Sequence, residues 1–217
     1  MPKHATRRSD APTATITVVG TGRVERAADV ARATFVAEAT RETATDARAA
    51  AAATAAAVID ALAGAGVARA DLRTAGLDVQ PSWEHDGSRS IRTGFTVTNR
   101  IAAVIRDLER VGAVLDAGLG AGATGLDGVA FDLADSSADA TEARRRAVRD
   151  ARSRAETIAE ASAKKLGALV AIAEGAPPPV PLARQRMMAL AADAAATPVM
   201  PGSVEVTVTV TAEWELA

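Results

Sequence analysis

The chain has 217 residues, enough for one well-buried core or two small ones, and a formal net charge of −2, which offers no global attraction to polyanions or acidic membranes. It contains no cysteine, so disulfides, thiolate metal sites and cysteine nucleophiles are excluded. With three Phe, two Trp and no Tyr, its core must rest on Val, Leu and Ile and on close backbone approach at alanine.

Residues 1–12 are polar and charged and include prolines, which predicts a disordered tail. No apolar run follows the basic residues there, so no signal peptide is visible, and the chain as written reads as soluble and cytoplasmic. "TATITVVG" predicts a half-buried strand that ends in "GTG". Gly20 and Gly22 read as turn or bulge residues, because the third glycine and the following helix of a dinucleotide fingerprint are missing. A second strand covers 29–40, with Val30, Ala33, Phe35 and Ala37 among its apolar residues.

From Thr45, its expected cap, a helix carries Ala47, Ala51, Ala55, Val58 and Leu62 at helical spacing until Gly64 and Gly66 end it. Its charge-free run at 49–59 is too short and too weakly apolar to span a bilayer. "DLRTAGLDVQPSWE" and "RSIRTGFTVTNRIAAVI" predict two long strands about a hairpin signal at Asp86-Gly87. A short helix with Leu108, Val111, Leu115 and Leu119 inward comes next, then the strand "LDGVAFDLAD". A long basic helix, the strand "ALVAIAE", a Pro/Ala/Met-rich segment (176–201) and the alternating strand "SVEVTVTVTAEWEL" complete the chain.

The middle of this order is the split βαβ arrangement. The predicted fold is α+β: an antiparallel sheet with helices mainly on one face, and a ferredoxin-like βαββαβ core with added strands and a long Ala-rich helix. A single domain is expected over 13–217, with 176–201 as an arm.

The basic stretch, from Glu142 to Gly167, raises the question of nucleic-acid binding. Ala143, Ala147, Ala151, Ala155 and Ala159 repeat every fourth residue, and each step drifts about 40° around the helix. Val148, Ile158 and Leu166 widen that stripe, and Arg144 falls near its middle. Charges elsewhere are interleaved, with Glu142–Arg146, Asp150–Arg154 and Glu160–Lys164 in the favourable i,i+4 order. Without unopposed cations or aromatics, the helix reads as a solvated structural face, and polyanion binding through 142–167 is the weaker alternative.

No P-loop, G-x-S-x-G or HExxH occurs. His4 lies in the tail and His85 in a hairpin beside Glu84 and Asp86, too isolated for a conventional zinc site. No catalytic residue, metal ligand or cofactor-binding residue is assigned. A hydrolase with a carboxylate-lined cleft, using Asp29, Asp71 or Asp116, is the alternative from a different class, although nothing in the sequence brings these acids together. The arm is more suggestive, since a connection so long needs a reason and methionines adapt to irregular surfaces. Pro178, Leu182, Met187, Met188, Leu190 and Met200 are its expected oligomer contacts. The leading expectation is therefore a non-catalytic scaffold or binding protein that forms homo-oligomers, with no nucleic-acid partner and no integral membrane segment.

With these elements placed, the chain resembles the SIMPL-domain family over roughly 14–216. "VVGTGRVERAADVA" is similar to the family's first strand, Gly-x-Gly and Asp-containing second strand, with Ala28 where proline is usual. Gly66, Asp71, Leu72, Thr74 and Pro81 match the next stretch, and Gly94, Asn99, Leu108, Gly112, Leu115, Asp116 and Gly122 the central strand and helix. "GVAFDLAD", the alanine helix ending at Leu166-Gly167, and the closing Pro-Gly and strand fit as well; Arg154 stands where lysine is common. The resemblance implies an α+β subunit of the cell envelope, ring- or channel-like oligomers in at least one case, and no established active site.

Overall fold

The computed structural model describes residues 14–86, 89–175 and 202–217, so the expected tail, the arm and its six contact residues lie outside the described residues. The chain forms two compact units. One is built from residues 26–134; the other combines 14–25, 135–175 and 205–217.

The 26–134 unit contains β2 (Val30–Arg41), α1 (Ala44–Gly64), β3 (Leu72–Asp86), β4 (Arg89–Ile105), α2 (Val111–Gly120) and β5 (Gly125–Asp132). Its four-stranded sheet has the order β3-β4-β2-β5, and each pairing is antiparallel. This is the βαββαβ core that the element order predicts. β3 and β4 stay paired down to Asp86 opposite Arg89, with register shifts between Thr74 and Gly76 and between Ser82 and Trp83. Alternate positions of the central strands, Ala31, Ala33, Phe35 and Ala37 on β2 with Ile101, Ala103 and Ile105 on β4, form one apolar face. Ala55, Val58 and Leu62 of α1 and Val111, Val114 and Leu115 of α2 close over it. Phe35 is fully buried, which contributes about 2–3 kcal/mol. It fits because Gly118 of α2 has no side chain: a β-carbon there would stand 2.3 Å from the ring. Leu119, expected inward, is 46% exposed, because one more step around α2 carries it off the core face.

The cap of α1 lies two residues earlier than the expected Thr45. Thr43 is its N-cap, accepting from the Asp46 amide at 3.1 Å and donating to the Asp46 carboxylate at 2.7 Å. Thr45 is already within the helix. Length and composition alone would let α1 cross a membrane, but Ala47, Ala51, Ala55, Val58 and Leu62 are buried against the sheet. α1 and α2 each end in a glycine of positive φ, Gly66 (103°) and Gly122 (100°), paired with two backward hydrogen bonds that satisfy the last carbonyls.

The other unit holds most of β1 (Thr15–Ala27), with α3 (Ser137–Ala161), β6 (Leu166–Glu174) and β7 (Ser203–Leu216) in a sheet ordered β1-β7-β6. α3 buries all five alanines of its stripe, and Ala147, Ala151 and Ala155 pack with Val18, Val210, Ala212 and Trp214. Gly20 and Gly22 are not in a turn: both lie within β1. A β-carbon on Gly20 would be 2.2 Å from the Ala147 carbonyl oxygen, and one on Gly22 1.9 Å from that of Ala143. The Gly-x-Gly spacing puts both glycines on the strand face beneath the helix, so the two backbones nearly touch. That closeness leaves no room for wider residues, and Val148 and Ile158 lie outside the stripe, 40% and 47% exposed.

Candidate functional site

The arginines of α3 lie among carboxylates. Arg145, Arg146 and Arg149 lie within 4 Å of Glu142, Arg154 of Asp150, Arg152 of Glu156 and Arg144 of Glu174. Two of the expected i,i+4 pairs form; the helix stops at Ala161, before Lys164 could face Glu160 along it. Every arginine of α3 therefore has a carboxylate, and Arg144 is drawn from the apolar sector onto Glu174 of β6.

His85 lies on β3, exposed, with Nε2 3.2 Å from the Ser90 hydroxyl. Among the described residues no group of three His, Asp or Glu side chains could hold a metal ion.

The carboxylates of the enzyme alternative part company. Asp116 is exposed on α2. Asp71 and Asp29 both act on Arg106, which lies just beyond β4. Asp71 accepts from Arg106 Nε at 2.8 Å and Nη2 at 2.7 Å, a two-point pair that leaves the Asp71 side chain only 13% exposed. Asp29 accepts from the Ala134 amide at 2.6 Å and from Arg26 at 2.5 Å, and its charge reaches Arg106 more weakly. Both carboxyls are held below their ordinary value of 3.8: Asp71 by the Arg106 hydrogen bonds, and Asp29 first by the Ala134 amide and then by Arg26.

The elements around Arg106 enclose a cavity of about 140 Å³. The turn at Gly66 brings the chain from α1 past Val67 and Ala68 to a 3-10 turn (Arg69–Asp71) that opens β3. Ile105 and Arg106 come from the end of β4, and a second 3-10 turn (Leu108–Arg110) leads into α2. Asp71, Arg106, Asp107 and Arg110 supply its charges, and Val104, Ile105 and Val114 its apolar wall. Sequence reasoning missed both arginines: "IRDLER" looks like a polar helix start, and only the Gly66 turn opposite turns it into a lining. A second, more open region lies on the sheet face away from the helices. There Thr40, Thr96 and Ser82 hydroxyls meet at 2.7 Å, Thr98 donates to Glu38 at 3.0 Å, and Arg100 pairs with Asp127 at 3.0 Å.

A match to a known family that runs through both units decides the relationship. The family model described as SIMPL, a protein of unknown function (DUF541), matches residues 16–214. The chain belongs to the SIMPL family. Among its SIMPL relatives, the 26 kDa periplasmic immunogenic protein of Brucella abortus is 30% identical over 212 residues, covering 94% of this chain and 85% of the relative. The protein of the same name in Brucella melitensis matches to the same extent. The uncharacterised protein YggE of Escherichia coli is 27% identical over 157 residues, 72% of this chain and 64% of YggE. These names speak of the periplasm, of immunogenicity or of an uncharacterised protein; none names an enzyme. The two Brucella names place those relatives in the periplasm, and none of the three names supports the cytoplasmic reading.

Proposed function

We propose that this SIMPL protein is a non-catalytic scaffold or binding protein of the cell envelope that works by self-association. The observation that carries the reading is the edge of the β1-β7-β6 sheet. β6 pairs with β7 along one side, its other side faces no strand among the described residues, and every residue after Leu166 is exposed. Leu169, Val170 and Ile172 are each about half exposed. An unpaired strand edge carrying apolar side chains is a template for another strand, and proteins that remain monomers cover or charge such edges. β6 carries no charge before Glu174. Its two register shifts against β7, before Leu169 and before Ala171, irregularise the edge, which favours one specific partner over indefinite stacking. A second copy of the chain is the partner that fits this edge without further assumption, because identical edges can pair about a two-fold axis. The names of the periplasmic relatives support the placement in the envelope.

Light scattering coupled to size exclusion tests the reading on the full chain, on Val170→Lys and on a deletion of 177–200. A discrete particle larger than one chain, broken down by Val170→Lys, is expected. A monomer at high concentration overturns self-association. A particle that resists Val170→Lys but falls apart on the deletion moves the contact from β6 to the arm.

A further inference from the structure

Of the two guanidiniums that line the cavity at the end of α1, one has no carboxylate among the described residues. Around the cavity at the end of α1, Arg106 is held at two points by Asp71, and Asp107 accepts from the Glu109 amide through Oδ1 at 3.2 Å. Arg110 lines the same cavity and is paired with no carboxylate among the described residues. It is positioned all the same: a β-carbon on Gly66 would be 2.4 Å from its Nη1 and 3.0 Å from its Cζ, so the guanidinium lies against bare backbone. The α1 carbonyls beside it are already used, because the Gly66 and Val67 amides donate to Ala63 and Leu62. A fork of donors seated without an acceptor has less freedom to lose when an anion arrives. Val104, Ile105 and Val114 belong to the same lining, the last two almost wholly within the core, and supply its apolar part.

We propose that this cavity binds a small aliphatic carboxylate, its oxygens on the Arg110 fork and its alkyl end against Val104, Ile105 and Val114. A carboxylate matches a guanidinium at two points, whereas a phosphate would place its third and fourth oxygens against the apolar wall. The volume of about 140 Å³ corresponds to four or five waters at ~30 Å³ each. Acids of two to four carbons fit within it.

Titrations of the full chain with acetate, propionate and inorganic phosphate, followed through the amide resonances of Gly66, Ala68 and Asp107, test the assignment. Saturable millimolar binding is expected, tightening about three- to fourfold from acetate to propionate as one methylene is buried. Phosphate should bind more weakly than either acid. Arg110 is exposed, so Arg110→Gln should leave distant resonances unmoved and weaken propionate at least about tenfold, the loss of a charge-assisted pair. Arg110→Lys, which keeps the charge without the fork, should fall between the two. No saturable shift with either acid, phosphate binding tighter than propionate, or propionate affinity unchanged in Arg110→Gln would each overturn the proposal.

Discussion

Gly22 of β1 and Ala143 of α3 stand so close that a β-carbon on Gly22 would lie 1.9 Å from the Ala143 carbonyl oxygen and 2.5 Å from the Ala147 amide nitrogen. Both obstacles are backbone, so no rotamer change relieves them. The helix can sit this low only because its own face is alanine and the strand face beneath it is glycine. The gain is close packing of two backbones, in a chain with few large rings.

Gly22→Ala is therefore expected to destabilise the protein by about 1–3 kcal/mol, as overpacked cores do, lowering the urea midpoint. Gly76→Ala is the control. Nothing lies within 4 Å of a β-carbon there and its φ is not positive, so the midpoint should stay nearly unchanged. Equal losses at the two sites would mean that glycine matters here for reasons other than helix approach.

α3 ends on Ala163 at a φ of 55°, the left-handed conformation that glycine supplies at the ends of α1 and α2. The Ala163 amide donates to Glu160 and the Lys164 amide to Ala159, closing the same pattern of hydrogen bonds. An L side chain held there costs about 1–2 kcal/mol, partly offset by the greater freedom of glycine in the unfolded chain. Ala163→Gly should raise stability by about 0.5–1 kcal/mol, read as an upward shift in Tm. A downward shift would show that the methyl makes a contact worth more than the strain.

Asp150 ties α3 to β1 by accepting from the Thr21 amide at 2.8 Å, and Arg154 adds a second hydrogen bond at 3.0 Å. Those bonds, the Thr21 amide first, hold the carboxyl below its ordinary value of 3.8. A carboxyl lowered in the folded state binds its proton more readily when unfolded. Its stabilisation is thus fully present above the unfolded value and is lost as pH falls from about 3.8 through the folded value. Asp150→Asn should cost about 1–2 kcal/mol at neutral pH and flatten the decline in stability below pH 4, measured by urea unfolding across pH. An identical acid limb in the variant would exclude Asp150 as a source of that decline.

The local sequence determined most of the scaffold. The every-fourth alanine of 143–159, the Ala47-to-Leu62 spacing and the strand alternations follow from the geometry of single elements, and the βαββαβ order follows from their succession. The Arg146 and Arg154 pairs were also legible, since four residues along a helix make neighbours of any two side chains. What the sequence could not decide were relations between elements. Gly20 and Gly22 have the composition of a turn, and only a helix lying above them gives them another reason. Thr43 and Thr45 are chemically the same cap, and the choice depends on where β2 releases the chain. Asp71 and Arg106 are 35 positions apart, and Gly66 and Arg110 further still; no periodicity links them. Tertiary structure alone made these pairs neighbours, because burying Leu62, Ile105 and Val114 in one core draws the end of α1, the end of β4 and the start of α2 to the same place, and the charged residues beside them have to follow.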